Sequence, residues 1–241
     1  MHAEPFYPAG FSPSLSDDEL RGAAEARTGL SIADIAIKFE SFGNDCEFGF
    51  FQRKCGAEPL GLFRFSNPEH DIIFREVDSN FENFGRHSFV ELDQQQPRRE
   101  WIVVDPVNRL REHTFIRDGD QEEELVRTQQ LKRIAFLRRM MTDNIRDANK
   151  IFVIKSGDGK LAVGHTLAIA QALRRRGASW LLWVEPGDQV GSVEVLADGL
   201  LRGIIDRLTV QPDAPKFSFS GWLAVTTEAL LTVRRATTHQ T

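Results

Sequence analysis

Residues 150–186 read KIFVIKSGDGKLAVGHTLAIAQALRRRGASWLLWVEP, and the fold class turns on how this stretch is divided. KIFVIK is a short apolar run rich in β-branched residues, the mark of a buried strand. HTLAIAQALRRRG carries apolar residues at helical spacing and stops at a glycine. SWLLWVEP is a second strand of the buried type. From here to the C-terminus the pattern is α/β. VEVLADGLLRGI reads as a helix, IIDRLTV as a strand and GWLAVTTEALLTVRRA as a closing helix.

Upstream, Leu131, Ile134, Leu137, Met141 and Ile145 recur every three or four residues and predict a long helix over Glu122 to Asn149. Residues 87–116 change character. HSFVEL, REWIVVD and RLREHTFI are short alternating runs that predict a small antiparallel meander, with Pro97 and Pro106 in the turns. Asn67-Pro68 starts a helix whose inward face is Ile72, Ile73, Val77 and Phe81, ending near Gly85. Ser16-Asp17-Asp18-Glu19 is a capping box for a helix from Asp17 to Arg27, with a stop near Gly29. AIKFES reads as strand-like. Residues 1–13, with three prolines, are expected as a disordered tail. The remainder, 14–241, is expected as a single mixed α/β or α+β domain, divisible into an N-terminal lobe (14–120) and an α/β lobe (121–241).

The chain has 241 residues, 41% hydrophobic and 27% charged, which suits one substantial core. A net charge of −5 argues against nucleic acid as a partner, because phosphate binding needs a basic face. No run reaches the ~18 apolar residues of a membrane span, and the first residues carry no secretory signal pattern. Two cysteines and no Asn-x-Ser/Thr site fit a cytoplasmic protein. No metal or cofactor motif is present: GxGxxG, HExxH, G-x-S-x-G and the P-loop spacing are all missing.

The chemistry concentrates in FESFGNDCEFGFFQRKCG, residues 39–56. Asn44 or Asp45 can cap a helix that sets Cys46 in its first turn, where the positive helix end favours a thiolate. The alternative is a small side chain that fills a gap, and the acids Asp45 and Glu47 oppose ionisation. Cys55 lies nine residues on, half a turn around the same helix, so the two thiols point apart. A cysteine nucleophile needs a base. Of His87, His113 and His165, the first choice is His113, because a strand-borne histidine after a helix-borne cysteine is the papain order.

FESFGNDCEFGFFQRKCGAEPLGLFRF, the later REHTF and KRIAFLRRMM…KIFVIK together resemble a family of uncharacterised bacterial proteins described as papain-like cysteine peptidases. The family pattern is a Gly-x-x-Cys turn entering a helix, a Pro-Phe-Asp-Trp-type element, a His-Asp-Phe strand, a basic helix and a strand ending in a basic residue. Gly43, Cys46, Pro59, His113, Phe115, Arg133 and Lys155 take matching positions, over residues 38–155. The resemblance implies a papain-like arrangement of a cysteine-bearing helix and a small antiparallel sheet, and a Cys46–His113 pair in a hydrolase or acyl transferase. Two family acids are replaced, by Gly61 and Thr114. Asp118, Asp105 or Asn108 could take over the orienting role, with Asp118 carried as the catalytic candidate beside Cys46 and His113. Asn44, Asp45, Glu58, Arg64 and Lys155 are the substrate-contact candidates, for a peptide, acyl or glycan-linked substrate. EPLGLFRF reads either as a substrate-facing loop or as a packed turn. The loop after KIFVIK reads either as an anion site through Lys155 or as a plain surface loop. The competing functions are a non-catalytic binding protein of the same fold, and a carbohydrate-pathway protein acting through its C-terminal α/β half.

Overall fold

The computed structural model describes residues 5–43, 46–94, 99–155, 161–177, 179–209 and 213–238. Its elements run α1 (Asp17–Thr28), α2 (Ile32–Ile37), β1 (Phe39–Ser41), α3 (Glu47–Lys54), α4 (His70–Asp78), β2 (Phe89–Asp93), β3 (Glu100–Asp105) and β4 (Leu110–Arg117). There follow α5 (Glu123–Arg146), β5 (Ile151–Lys155), α6 (Val163–Arg176), β6 (Trp180–Pro186), β7 (Val193–Ala197), β8 (Leu200–Ile205) and α7 (Phe219–Thr238). The fold is mixed α/β. One sheet has the order β1-β5-β6-β8-β7, parallel except for β7, and a second, antiparallel sheet has the order β2-β3-β4.

Alternation along the parallel strands builds two cores. Phe152, Ile154, Leu181, Trp183 and Leu200 face one side, where Ile169 and Leu173 of α6 and Ile134, Leu137 and Met141 of α5 cover them. Ile151, Val153, Leu182, Val184 and Leu201 face the other, against Phe48 and Phe51 of α3 and Trp222 and Leu223 of α7. A parallel sheet covered on both faces explains why KIFVIK and SWLLWVEP are continuous apolar runs. The small sheet joins the first core, with Val90, Trp101, Val103 and Leu110 against α5.

The expected helices at α1, α4, α5, α6 and α7 form, and the capping box at Ser16 is made by Ser16 and Glu19. Six expectations are corrected. α4 stops at Asp78 rather than near Gly85, since Asn80 and Phe81 take positive φ, and IIDRLTV contributes only Ile204 and Ile205 to a strand, the end of β8. VEVLADGLLRGI is the β7–β8 hairpin. Ala197 pairs with Leu200, so Asp198-Gly199 is a two-residue turn, and Gly199 supplies the positive φ of 79° such turns require. AIKFES is split between α2 and β1, because Ser31 Oγ accepts from the Asp34 N–H and starts a helix first. Leu131 is exposed, and the buried stripe of α5 runs Val126, Ile134, Leu137, Met141, Ile145. Residues 5–13 lie on the surface and are tied down at two points: Phe6 donates to Asp188 O and accepts from Val190 N, and Phe11 is fully buried under Arg27.

Gly177 ends α6 against the last turn of α5. A Cβ there would lie 2.0 Å from the Ile145 carbonyl oxygen, a backbone atom that cannot swing aside. Gly177→Ala is therefore expected to cost about 1–3 kcal/mol by overpacking. Urea unfolding checks it, and a midpoint within error of the parent would contradict the contact.

Candidate active site

Strands β1 and β5 are parallel neighbours in register, Ser41 opposite Val153, so the chain leaves both at one edge of the sheet. Leaving β1, Phe42 still donates to Val153 O at 2.9 Å, and Gly43 then turns with φ 84°. A Cβ on Gly43 would sit 2.4 Å from Pro68 Cδ, so only glycine fits both the turn and the close approach. Asn44 and Asp45 lie outside the described residues. Cys46 already has helical φ and ψ, and its carbonyl accepts from Phe50 N at 3.0 Å. The thiol therefore occupies the helix start, with 5% of the residue exposed. Neither cysteine is in a disulfide. Cys55 is in the second core, and burial pushes its thiol up to about 12.

Directly after Cys46, the fully buried Glu47 turns away from solvent into a polar cluster. Its Oε2 is 2.6 Å from Lys155 Nζ and accepts from Thr209 N at 3.2 Å, while Oε1 accepts from Trp222 Nε1 at 3.0 Å. Lys155 also donates to Thr209 O at 3.1 Å. The last residue of β5 is thereby bonded to the first residue of α3. Ser156, Gly157 and Gly159, the other members of the anticipated anion loop, lie outside the described residues.

His113 is half-buried on β4 with its Nδ1 3.1 Å from Glu100 Oε2 on the facing strand. A carboxylate only accepts, so Nδ1 donates to Glu100 and Nε2 is the ring nitrogen turned elsewhere. The other oxygen of Glu100 accepts from the Phe115 backbone N–H at 2.6 Å. Here the strands slip: Ile102 pairs with His113 but Glu100 pairs with Arg117, so residues 114–116 form a bulge opposite Trp101. Phe115 takes φ 60°, rare for a bulky residue, and the residue is 53% exposed. It stacks on His113 at 6.0 Å and meets Phe65 edge-on at 5.2 Å.

Glu100 is the carboxylate on His113, and sequence reasoning missed it. The expected orienter, Asp118, pairs with Arg99 at 3.0 Å. Asp105 is spent on its turn, accepting from the N–H groups of Val107, Asn108 and Gly85, and Asn108 is bonded to Asp105 and Arg75. The signal that could have found Glu100 is the pairing of REWIVVD with RLREHTFI, which puts Glu100 across from the His113 end of the second run.

The two remaining candidates form a packed turn. Arg64 Nη1 is 2.6 Å from Glu58 Oε2, and its guanidinium also donates to the carbonyls of Gly49, Ala57 and Pro59. Arg53 holds the second oxygen of Glu58. The next residue, Phe65, joins the cysteine helix to the histidine strand. Its ring lies 6.0 Å from Phe50, one helical turn beyond Cys46, and touches Phe115. Ser66 then bridges to Glu112, the neighbour of His113. Two buried carboxyls flank this region: burial pushes Glu112 and Glu40 up to about 7, against the pull of Arg133 on the first and of Asn144 and Lys150 on the second. A family-type aspartate at position 61 would face Glu40, whose Oε1 lies 3.8 Å from the Cβ site of Gly61.

Among the described residues, no cluster of three or more His, Cys, Asp or Glu is arranged to hold a metal, and no helix is long and apolar enough to cross a membrane. Compared with known proteins, the chain matches no family model, no curated protein and no solved structure.

Lys155→Met leaves Glu47 charged and buried and is expected to cost about 3–5 kcal/mol, with the Glu47→Gln/Lys155→Met double variant recovering much of it. Urea titration of both reports this, and a double variant no better than the single would count against the pair. Glu112 and Glu40 hold protons in the fold up to about pH 7 but release them near 4.5 when unfolded. Their contribution is thus fully present below 4.5 and is lost as pH rises through 7. Glu112→Gln should gain stability over the parent at pH 8 and not at pH 4; an equal difference at both values would remove the protonated carboxyl from the account.

Proposed function

We propose that the chain is a cysteine-dependent hydrolase or acyl transferase in which Cys46 is the nucleophile, His113 the base and Glu100 the acid that orients it. The observation that carries this reading is the His113–Glu100 pair: an imidazole pinned through Nδ1, half open to solvent and presenting Nε2. In the proposed cycle Nε2 takes the Cys46 proton and the thiolate attacks an acyl carbon. The leaving group departs with that proton, and water or a second acceptor releases the acyl group. Placement of Cys46 at the start of α3 supports the role, since the helix end favours negative charge on sulfur. Ion pairing of Glu47 with Lys155 answers the objection for one of the two acids beside the thiol.

The 5% exposure of Cys46 favours a second reading, a non-catalytic binding protein in which the thiol is a packing residue. Alkylation by iodoacetamide at pH 6, followed by mass spectrometry, separates the two, with buried Cys55 as the internal control. Catalysis predicts Cys46 modified at least about tenfold faster than Cys55 and faster than glutathione, slowed by a similar factor in His113→Asn and less in Glu100→Gln. A Cys46 rate equal to that of Cys55, or indifferent to His113, overturns the catalytic reading and leaves the binding protein.

A further inference from the structure

Neither burial nor backbone preference accounts for Phe115. Half the residue stays in water, so little apolar surface is withdrawn, and its φ of 60° is a conformation that bulky side chains avoid. Local stability does not select a phenylalanine there. The backbone is held by Glu100, which accepts from the Phe115 N–H at 2.6 Å while its other oxygen takes His113 Nδ1 at 3.1 Å. One carboxylate thus sets an imidazole and an exposed aromatic ring side by side, with centroids 6.0 Å apart and planes 27° from parallel.

The ring is also the outer end of an aromatic strip. Phe65, itself buried, lies edge-on to it at 5.2 Å, and the half-buried Phe50 of α3 meets Phe65 at 6.0 Å. Phe50 N donates to the Cys46 carbonyl, so the strip runs from the first turn of the cysteine helix to the histidine strand.

We propose that Phe115 is the specificity residue of the thiol site, and that the acyl group taken up by Cys46 carries a large apolar substituent laid on the Phe115–Phe65 strip. This rests on the hydrolase or acyl transferase reading above. The substituent completes the burial that Phe115 lacks in the free protein, and its place beside His113 puts the acyl carbon near the base.

Acylation by para-nitrophenyl esters tests it. The Cys46 sulfur bonds to the ester carbon, its proton passes to His113, and para-nitrophenolate leaves with the electrons of the broken C–O bond. Rates at Cys46 are read by mass spectrometry with the acetate and the phenylpropanoate, each divided by the rate of glutathione with the same ester. The phenylpropanoate should be preferred by at least about tenfold, the discrimination that one apolar group supplies. Phe115→Gly keeps the bulge, because glycine takes positive φ freely, and should lose the preference. Phe115→Tyr keeps a ring and should retain it. Equal normalised rates in the parent, or a preference unaltered in Phe115→Gly, overturn this inference and leave the thiol reading standing. Acylation of Cys46 by neither ester faster than that of Cys55 overturns the thiol reading, and the inference with it.

Discussion

The buried ion pair between Glu47 and Lys155 holds the functional edge of the molecule together. It joins the first residue of α3 to the last residue of β5, and the same carboxylate reaches Trp222 of α7 and the backbone at Thr209 beyond β8. Taking two charges out of water is expensive, and such a pair is sustained only when further hydrogen bonds satisfy its remaining atoms. Here an indole N–H and a backbone N–H accompany the ammonium. Four separate pieces of chain must therefore arrive at one point. The start of α3, and Cys46 with it, is placed by that requirement as much as by apolar packing.

Apolar packing then sets the tilt of the cysteine helix. Phe48 and Phe51 face Trp222 at 5.0 and 6.0 Å, while Phe50, on another face, meets Phe65. Gly49 lies between, and a Cβ there would stand 2.7 Å from the Phe65 ring. Abundant phenylalanine thus has a structural role. Aromatic edges lock α3 between the five-stranded sheet on one side and the segment leading to the histidine strand on the other.

Glu100 performs a second kind of placement. By bonding both His113 and the Phe115 backbone, one carboxylate fixes an imidazole and stabilises a bulge that an unaided strand would not adopt. Strain of this sort persists where surrounding bonds over-determine it, and it gathers at functional positions. Arg109 shows the same pattern at the next turn, held by the N–H groups that Asp105 collects at Val107 and Asn108.

Much of the fold was legible because it is local. Caps, apolar spacing and turn residues placed α1, α4, α5, α6, the meander and the strands β5 and β6, since each rests on neighbours within a few residues. The β7–β8 hairpin was misread because LADGLL has helical apolar spacing, and only pairing with β6 makes strands of it. Residues 5–13 were misread because their order comes from a core pocket and from Asp188 and Val190, remote in the chain. At the candidate site, the residue types that mattered were visible: a cysteine at a helix start, a histidine on a strand and a lysine ending another. Their partners were not. Glu100 meets His113 only across the pairing of two strands, and Glu47 meets Lys155 only because two parallel strands end together across 108 residues of chain. Local sequence determines which segments become helices and strands, because those energies are short-range. Tertiary structure decides which side chains share a charge or a proton, because that depends on burial and on pairs that no local pattern encodes.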